Sequence, residues 1–149
     1  GWFPQVFSIL NKMPIGVTIH EMDSELDHGP IIFQEFVKID KGDTSWDVYN
    51  RIQQKEVEML EKYLLDILES RYTKADMVSE GNINYKADFD KLCKIDLQKR
   101  ATYGEVLDFL RAMTFQKYDN AFFLDDDGNK IFVSINLKRA EEKNEEQKN

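Results

Sequence analysis

The chain has 149 residues, 42% hydrophobic and 12% aromatic, which suffices for one domain with a core, excludes wholesale disorder and leaves too little for two full domains. A net charge of −8 without any Lys/Arg cluster argues against a nucleic-acid groove or an anionic-membrane patch. The lone Cys93 excludes an intramolecular disulfide and a cysteine-cluster metal site and suits a reducing cytoplasm, while no apolar run approaches the ~20 residues of a membrane span.

Pro4 opens a short helix whose Val6, Phe7, Ile9 and Leu10 offer one buried side, and which stops before Met13-Pro14. Two strands follow: residues 16–22 alternate and are β-branched, and residues 31–37 form a more continuous apolar run. The polar stretch between them closes on Gly29-Pro30, a loop stop. Residues 44–70 carry the clearest helical spacing, in Tyr49, Ile52, Met59, Leu60, Tyr63, Leu64, Ile67 and Leu68, with Thr44 as N-cap.

From 72 to 100 the pattern breaks up around Gly81, Asn82 and Asn84, which marks a connector and a domain boundary. Residues 1–75 are therefore expected to form one portion, 76–138 a second, and 139–149 a charged, disordered tail. Thr102 and Glu105 fit a capping box that starts a helix through Val106, Leu107, Leu110 and Met113. Residues 121–124 and 130–135 then flank Asp125-Asp126-Asp127-Gly128-Asn129 as a β-hairpin turning at Gly128. Two such strands alone leave an apolar face open, so something is expected to cover it.

The informative stretch is Gly16-Val17-Thr18-Ile19-His20, then Met22-Asp23, then Glu25-Leu26-Asp27-His28-Gly29 and the second strand. Its order and spacing resemble the formyltransferases that use 10-formyltetrahydrofolate, and Gly1 and Pro4 stand where that family has an Arg-Gly-x-x-Pro segment. Residues 101–115, with Tyr118-Asp119-Asn120-Ala121, resemble the branch that formylates nucleotide-linked 4-amino-4,6-dideoxy sugars. The resemblance spans residues 1–137.

That resemblance implies an α/β fold: the C-terminal portion of a Rossmann-like formyltransferase domain, with an incomplete parallel sheet, followed by a helix and a β-hairpin. It implies 10-formyltetrahydrofolate as formyl donor, a dTDP-4-amino-4,6-dideoxyhexose as acceptor, and a homodimer in which the partner covers the hairpin. Asp27 matches the Asp of the family's Asn-His-Asp catalytic set. Glu25, Leu26 and Asp27 lie in the loop that approaches the pterin through backbone groups, and Tyr118 and Asn120 stand where the nucleotide is contacted.

The chemistry accounts for these residue types. An amine attacking a formyl carbonyl needs a proton acceptor and a donor to the oxyanion, and Asp27 supplies the accepting or orienting part. Tyr118 can stack on a thymine and Asn120 can read its polar edge. Read without their neighbours, Asp27 is a turn-capping carboxylate, His28 a solvated loop residue, His20 a strand residue and Tyr118 a packing aromatic.

No Asn-x-His-Pro-like segment occurs in these 149 residues, and neither His20 nor His28 matches its histidine, so no transfer is expected from them alone. The opening Gly1-Trp2-Phe3-Pro4, without Met, suggests a cut inside a larger protein. The alternative is a stand-alone binding or homodimerisation module; an aminoacyl-tRNA acceptor would need a basic appendage that this acidic chain does not offer. Phosphate-loop, zinc and Gly-x-Ser-x-Gly patterns are missing, so no metal chemistry is proposed.

Overall fold

The computed structural model describes residues 1–22, 24, 29–76, 83–116 and 118–140. Helix α1 (Pro4–Asn11) begins on a proline, whose fixed φ suits a first turn, and ends at Lys12 in the left-handed region, its N–H donating to the Ser8 carbonyl. Val6 and Ile9 are buried from it, as the spacing predicts.

Strands β1 (Ile15–His20) and β2 (Ile31–Val37) pair antiparallel, Ile15 opposite Val37 through Ile19 opposite Phe33, with an irregularity at His20. The expected fragment of a parallel sheet is thus replaced, among the described residues, by an antiparallel pair whose joining segment carries the motif. Helix α2 (Ser45–Leu68) covers one face of that pair. Thr44 caps it: its Oγ1 accepts the Asp47 N–H at 3.4 Å, and the Asp47 carboxylate accepts the Thr44 N–H at 2.8 Å. Val48 and Met59 are buried from α2, and Tyr63 stacks on Phe33 at 3.8 Å between ring centres.

The segment expected to be a mere connector contains more structure. After α2 the chain returns to β2, where Ile31 and Ala75 exchange both backbone hydrogen bonds at 2.9 and 2.8 Å. A further helix, α3 (Lys86–Cys93), follows; the Asp88 carboxylate accepts the Tyr85 N–H at 3.0 Å, and buried Phe89 meets the Phe3 ring at 4.2 Å.

Helix α4 (Tyr103–Met113) starts at the anticipated Thr102–Glu105 capping box. Strands β3 (Ala121–Leu124) and β4 (Lys130–Val133) form the expected hairpin, with Ala121 opposite Val133. Strand β4 stops at Val133, short of the anticipated residue 135, because the Ile135 N–H donates to Thr114 Oγ1 at 3.0 Å instead. On its other edge β3 receives the Ile95 N–H at the Phe122 carbonyl, 2.7 Å away.

One apolar cluster unites Val6, Ile9, Ile15, Val37 and Val48 with Phe89, Ala112, Met113 and Ala121, so the segments before and after residue 75 share a core. Buried Ser45 stitches them further, donating to the Thr114 carbonyl at 2.8 Å. Of the anticipated tail, Arg139 pairs with Asp40 at 3.2 Å; residues 141–149 lie outside the described residues. Among the described residues no helix is long and apolar enough to cross a membrane.

Candidate formyl-transfer site

The motif loop is anchored at both ends. The Glu21 N–H donates to the Pro30 carbonyl at 3.0 Å, and Gly29 is pressed so closely on Glu21 that a Cβ at Gly29 would lie 1.8 Å from the Glu21 carbonyl oxygen. Only glycine tolerates that approach. The Glu21 carboxylate is in turn gripped from the segment after α2: Lys74 reaches one oxygen at 2.8 Å, and the Tyr72 hydroxyl donates to the other at 2.8 Å. Lys74 first and Tyr72 second hold the Glu21 carboxyl below the usual carboxylate range. Asp27, Glu25 and Leu26, the sequence-predicted catalytic and folate-facing residues, lie outside the described residues, as does His28. His20 sits at the end of β1, its Nδ1 2.8 Å from the Glu21 carbonyl.

Glu35 on β2 accepts from Lys62 at 2.7 Å, Tyr63 at 2.9 Å and Lys55 at 3.3 Å, which pull its carboxyl down to about 2. These bonds tie β2 to α2 across the sheet face. At the other end of β2, the turn at residues 38–43 is clamped by two arginines. Arg51 forks onto Asp43 at 2.7 and 3.2 Å and also donates to the Lys38 carbonyl. Burial alone would raise the Asp43 carboxyl, but the Arg51 guanidinium and the Asp40 N–H outweigh it and hold the group below its ordinary value. Buried Arg111, from α4, donates to the Asp40 and Asp43 carbonyls at 3.2 and 3.0 Å and to Asp108 at 2.8 Å.

Tyr118 and Asn120 lie together in the turn after α4. Tyr118 is 62% exposed, and its ring borders Phe115 at 5.9 Å; Phe115 packs edge-on against Trp46 at 4.9 Å and Tyr49 at 5.3 Å. Tyr118 is therefore the outer member of an aromatic cluster seated on the first turn of α2. The Asn120 side-chain amide donates to the Met113 carbonyl at 3.0 Å, which fixes the turn and leaves its oxygen as acceptor. The motif loop, by contrast, is anchored beside Tyr63, Tyr72 and Ala75, at and beyond the far end of α2. The described ends of the motif loop and the turn of Tyr118 and Asn120 thus stand at opposite ends of the β2–α2 unit.

Other candidates are weaker. A cavity of about 300 Å³ between α1 and β2 is lined by Ser8, Lys12, Val37, Ile39 and Arg111, but Arg111 is already committed to the clamp. Burial, then Asp90, pushes the Cys93 thiol up, the wrong direction for a nucleophile. Among the described residues no cluster of three or more His, Cys, Asp or Glu could hold a metal ion. The grips on Glu21 and Glu35 and the Arg111 clamp were not foreseen from sequence: each joins residues distant in the chain, and the only local hint was the alternation that places Glu35 on the same strand face as Phe33.

The comparisons with known proteins agree with this architecture. Residues 11–64 match the family model described as formyl transferase, and residues 88–139 match the N-formyltransferase dimerization C-terminal domain. Over 137 residues the chain is 45% identical to the dTDP-4-amino-4,6-dideoxyglucose formyltransferase of Mycobacterium tuberculosis, covering 92% of this chain and 58% of that relative. The chain belongs to the formyltransferase family. The crystal structure of a 4-N formyltransferase from Francisella tularensis superposes with a TM-score of 0.89 at 51% identity, over 94% of this chain and 58% of that one. An N-formyltransferase from Helicobacter canadensis, solved with folinic acid and dTDP-3-aminofucose, gives a TM-score of 0.68 at 26% identity, over 80% of this chain and 44% of the other. The chain thus spans 58% of the length of the curated relative it matches.

Proposed function

We propose that this chain contributes the Asp27 loop and the dimerising hairpin to a cytoplasmic enzyme that transfers formyl from 10-formyltetrahydrofolate to the amine of a dTDP-4-amino-4,6-dideoxyhexose. The observation that carries the reading is the 45% identity, over 92% of the chain, to a relative that bears this acceptor in its name. The folate donor is supported by the Helicobacter neighbour solved with folinic acid.

In this reading Asp27 accepts or orients the proton that leaves the attacking amine, while an Asn and a His outside these 149 residues donate to the oxyanion and carry the proton onward. The structural support is the frame: with both ends of the loop fixed by Glu21, Gly29, Tyr72 and Lys74, a carboxylate between them can be held rather than left to wander. The frame also fits a pterin edge read by main-chain groups. Tyr118 and Asn120 would take the base. A nucleotide-linked sugar is elongated, with amine and base at its two ends, which suits two contact regions set apart along the β2–α2 unit. Two copies would meet through the β3–β4 hairpin, whose Ile131 and Phe132 are exposed.

The test is mass-spectrometric detection of the formylated sugar. No turnover is expected from the 149 residues alone, and turnover is expected once they are joined to the preceding segment of the Mycobacterium relative. Asp27→Asn in the joined protein should abolish it. Turnover by the 149 residues alone would sink the requirement for the additional Asn and His, and an active Asp27→Asn protein would sink the role of Asp27.

A further inference from the structure

The cavity set aside above as a transfer site lies where the two family-matched segments meet. Lys12, Val37 and Ile39 come to it from the first segment and Arg111 from the second, with Ser8 and Ile9 of α1 beside them. Its lining includes no residue of the motif loop and neither Tyr118 nor Asn120. A volume of about 300 Å³ stands at the lower end of the range for small-molecule pockets, which form preferentially at domain interfaces.

Two polar groups in this cavity are buried without being used up. Ser8 and Arg111 are only 8% and 6% exposed. The clamp on the 40–43 turn consumes Nε and Nη1 of Arg111, which donate to Asp108 and to the Asp40 and Asp43 carbonyls. Among the described residues, Nη2 of Arg111 and the Ser8 hydroxyl have no hydrogen-bond partner. Neither atom is sealed in the core, because every fully enclosed side-chain nitrogen and oxygen among the described residues is bonded; both therefore open into the cavity that their residues line. A buried donor left without an acceptor is costly, so this pair calls for a partner from outside the chain.

We propose that this cavity binds a small monocarboxylate with a short apolar body. Its head accepts from Arg111 Nη2, from the Ser8 hydroxyl and from the Lys12 ammonium at the exposed rim, and its body lies against Ile9, Val37 and Ile39. Each charged side chain of the lining is a cation and none is an acid, which selects an anion. Both cations are already faced by one carboxylate: Asp108 stands 2.8 Å from Arg111, and Glu105 interacts electrostatically with Lys12. A single negative charge therefore suits the site better than a phosphate dianion. The aliphatic wall adds room for a few carbons, which a bare inorganic ion would leave unfilled.

The probe is benzoate, titrated into the isotope-labelled 149 residues and, as a second sample, into the joined protein of the preceding subsection. The backbone NMR signals of Ser8, Lys12 and Ile39 should shift and saturate with a Kd of about 1 mM, as expected for so few atoms. Benzyl alcohol, the same body without the charge, should bind about tenfold more weakly. Ser8→Ala and Lys12→Gln, neither of which touches the clamp, should each weaken benzoate about fivefold while the spectrum stays dispersed.

Absence of saturation at about fifty times that concentration overturns the proposal. So does benzyl alcohol binding as tightly as benzoate, or wild-type affinity in both variants. A crystal grown with benzoate gives the same decision independently: the carboxylate on Ser8 and Arg111 supports the site, and water alone on those atoms overturns it. None of these readouts involves formyl transfer, so failure of the proposed activity and failure of this site are distinguishable.

Discussion

The two hairpins are built alike and covered differently. Both are antiparallel pairs, and the glycine beside each connection is needed for a different reason. Gly29 is needed for space, since the Glu21 backbone occupies the position of its would-be Cβ. Gly128 is needed for conformation: its φ is +84°, and nothing lies within 4 Å of where a Cβ would stand. The first hairpin is covered by α2 and holds its joining segment between fixed ends; the second has a tight turn and leaves Ile131 and Phe132 open. The base of the first connection is thus fixed from the segment after α2, whereas the second pair keeps part of one face open to solvent.

The sharpest way to break this contrast is Gly29→Ala. A methyl group forced onto backbone that cannot swing aside should cost about 3 kcal/mol. Urea denaturation measures it, and a loss below about 1 kcal/mol would show that the loop base yields. Next is Arg111→Leu, which strips the Asp40 and Asp43 carbonyls and the Asp108 carboxylate of a buried donor. A loss of about 2 kcal/mol is expected, in the same denaturation assay.

If two copies meet at the hairpin as proposed, Phe132→Asp should leave the denaturation midpoint nearly unchanged yet weaken self-association about tenfold, read by sedimentation. Gly128→Ala should cost about 1 kcal/mol, the penalty of a left-handed conformation without a clash, and Gly128→Asn less.

The smallest effect separates the hairpins electrostatically. Glu35, in the first, is held at about 2 against 4.5 by Lys62, Tyr63 and Lys55. Asp125, in the second, is lowered by the backbone N–H and side chain of Asn129 and by the N–H groups of Asp127 and Gly128. A carboxyl depressed in the folded state contributes stability that is present above the unfolded pKa and is lost as pH falls through the folded one. For Glu35 that window runs from about 4.5 down to about 2. Carboxyl titration by NMR with added salt should raise Glu35, whose ion pair with Lys62 is open to solvent on the lysine side, and leave Asp125 in place. Equal salt responses would mean that the two carboxylates share one mechanism.

Much of this architecture is legible in the sequence because its signals are local. Thr44 with Asp47, Thr102 with Glu105, and Gly128 after three aspartates each mark a boundary within a few residues of where it acts. Helix α3 escaped because eight residues with Phe89, Leu92 and Cys93 as their main apolar groups carry little periodicity, and its burial depends on Phe3, more than eighty positions upstream. The return of residues 72–75 to β2 escaped for the same reason: nothing near Tyr72 or Lys74 announces Glu21 as their partner. For the candidate site, the Leu26-Asp27-His28-Gly29 context marked the loop, and the close approach of Gly29 supplies a physical reason for its glycine. The aromatic neighbours of Tyr118 and the bond from Asn120 to Met113 needed the folded chain to become visible.

The shared core and the Arg111 clamp bear on what a protease could do. A single nick after Lys74 would divide the chain between its two family-matched segments. Yet the apolar cluster that holds Ile9 and Val48 together with Ala112 and Met113, the Ser45–Thr114 bond and the guanidinium seated on the 40–43 turn all cross that division without using the peptide link. The halves of a nicked molecule should therefore elute as one particle and part only in denaturant, so that an intact elution profile would be no proof of an intact chain.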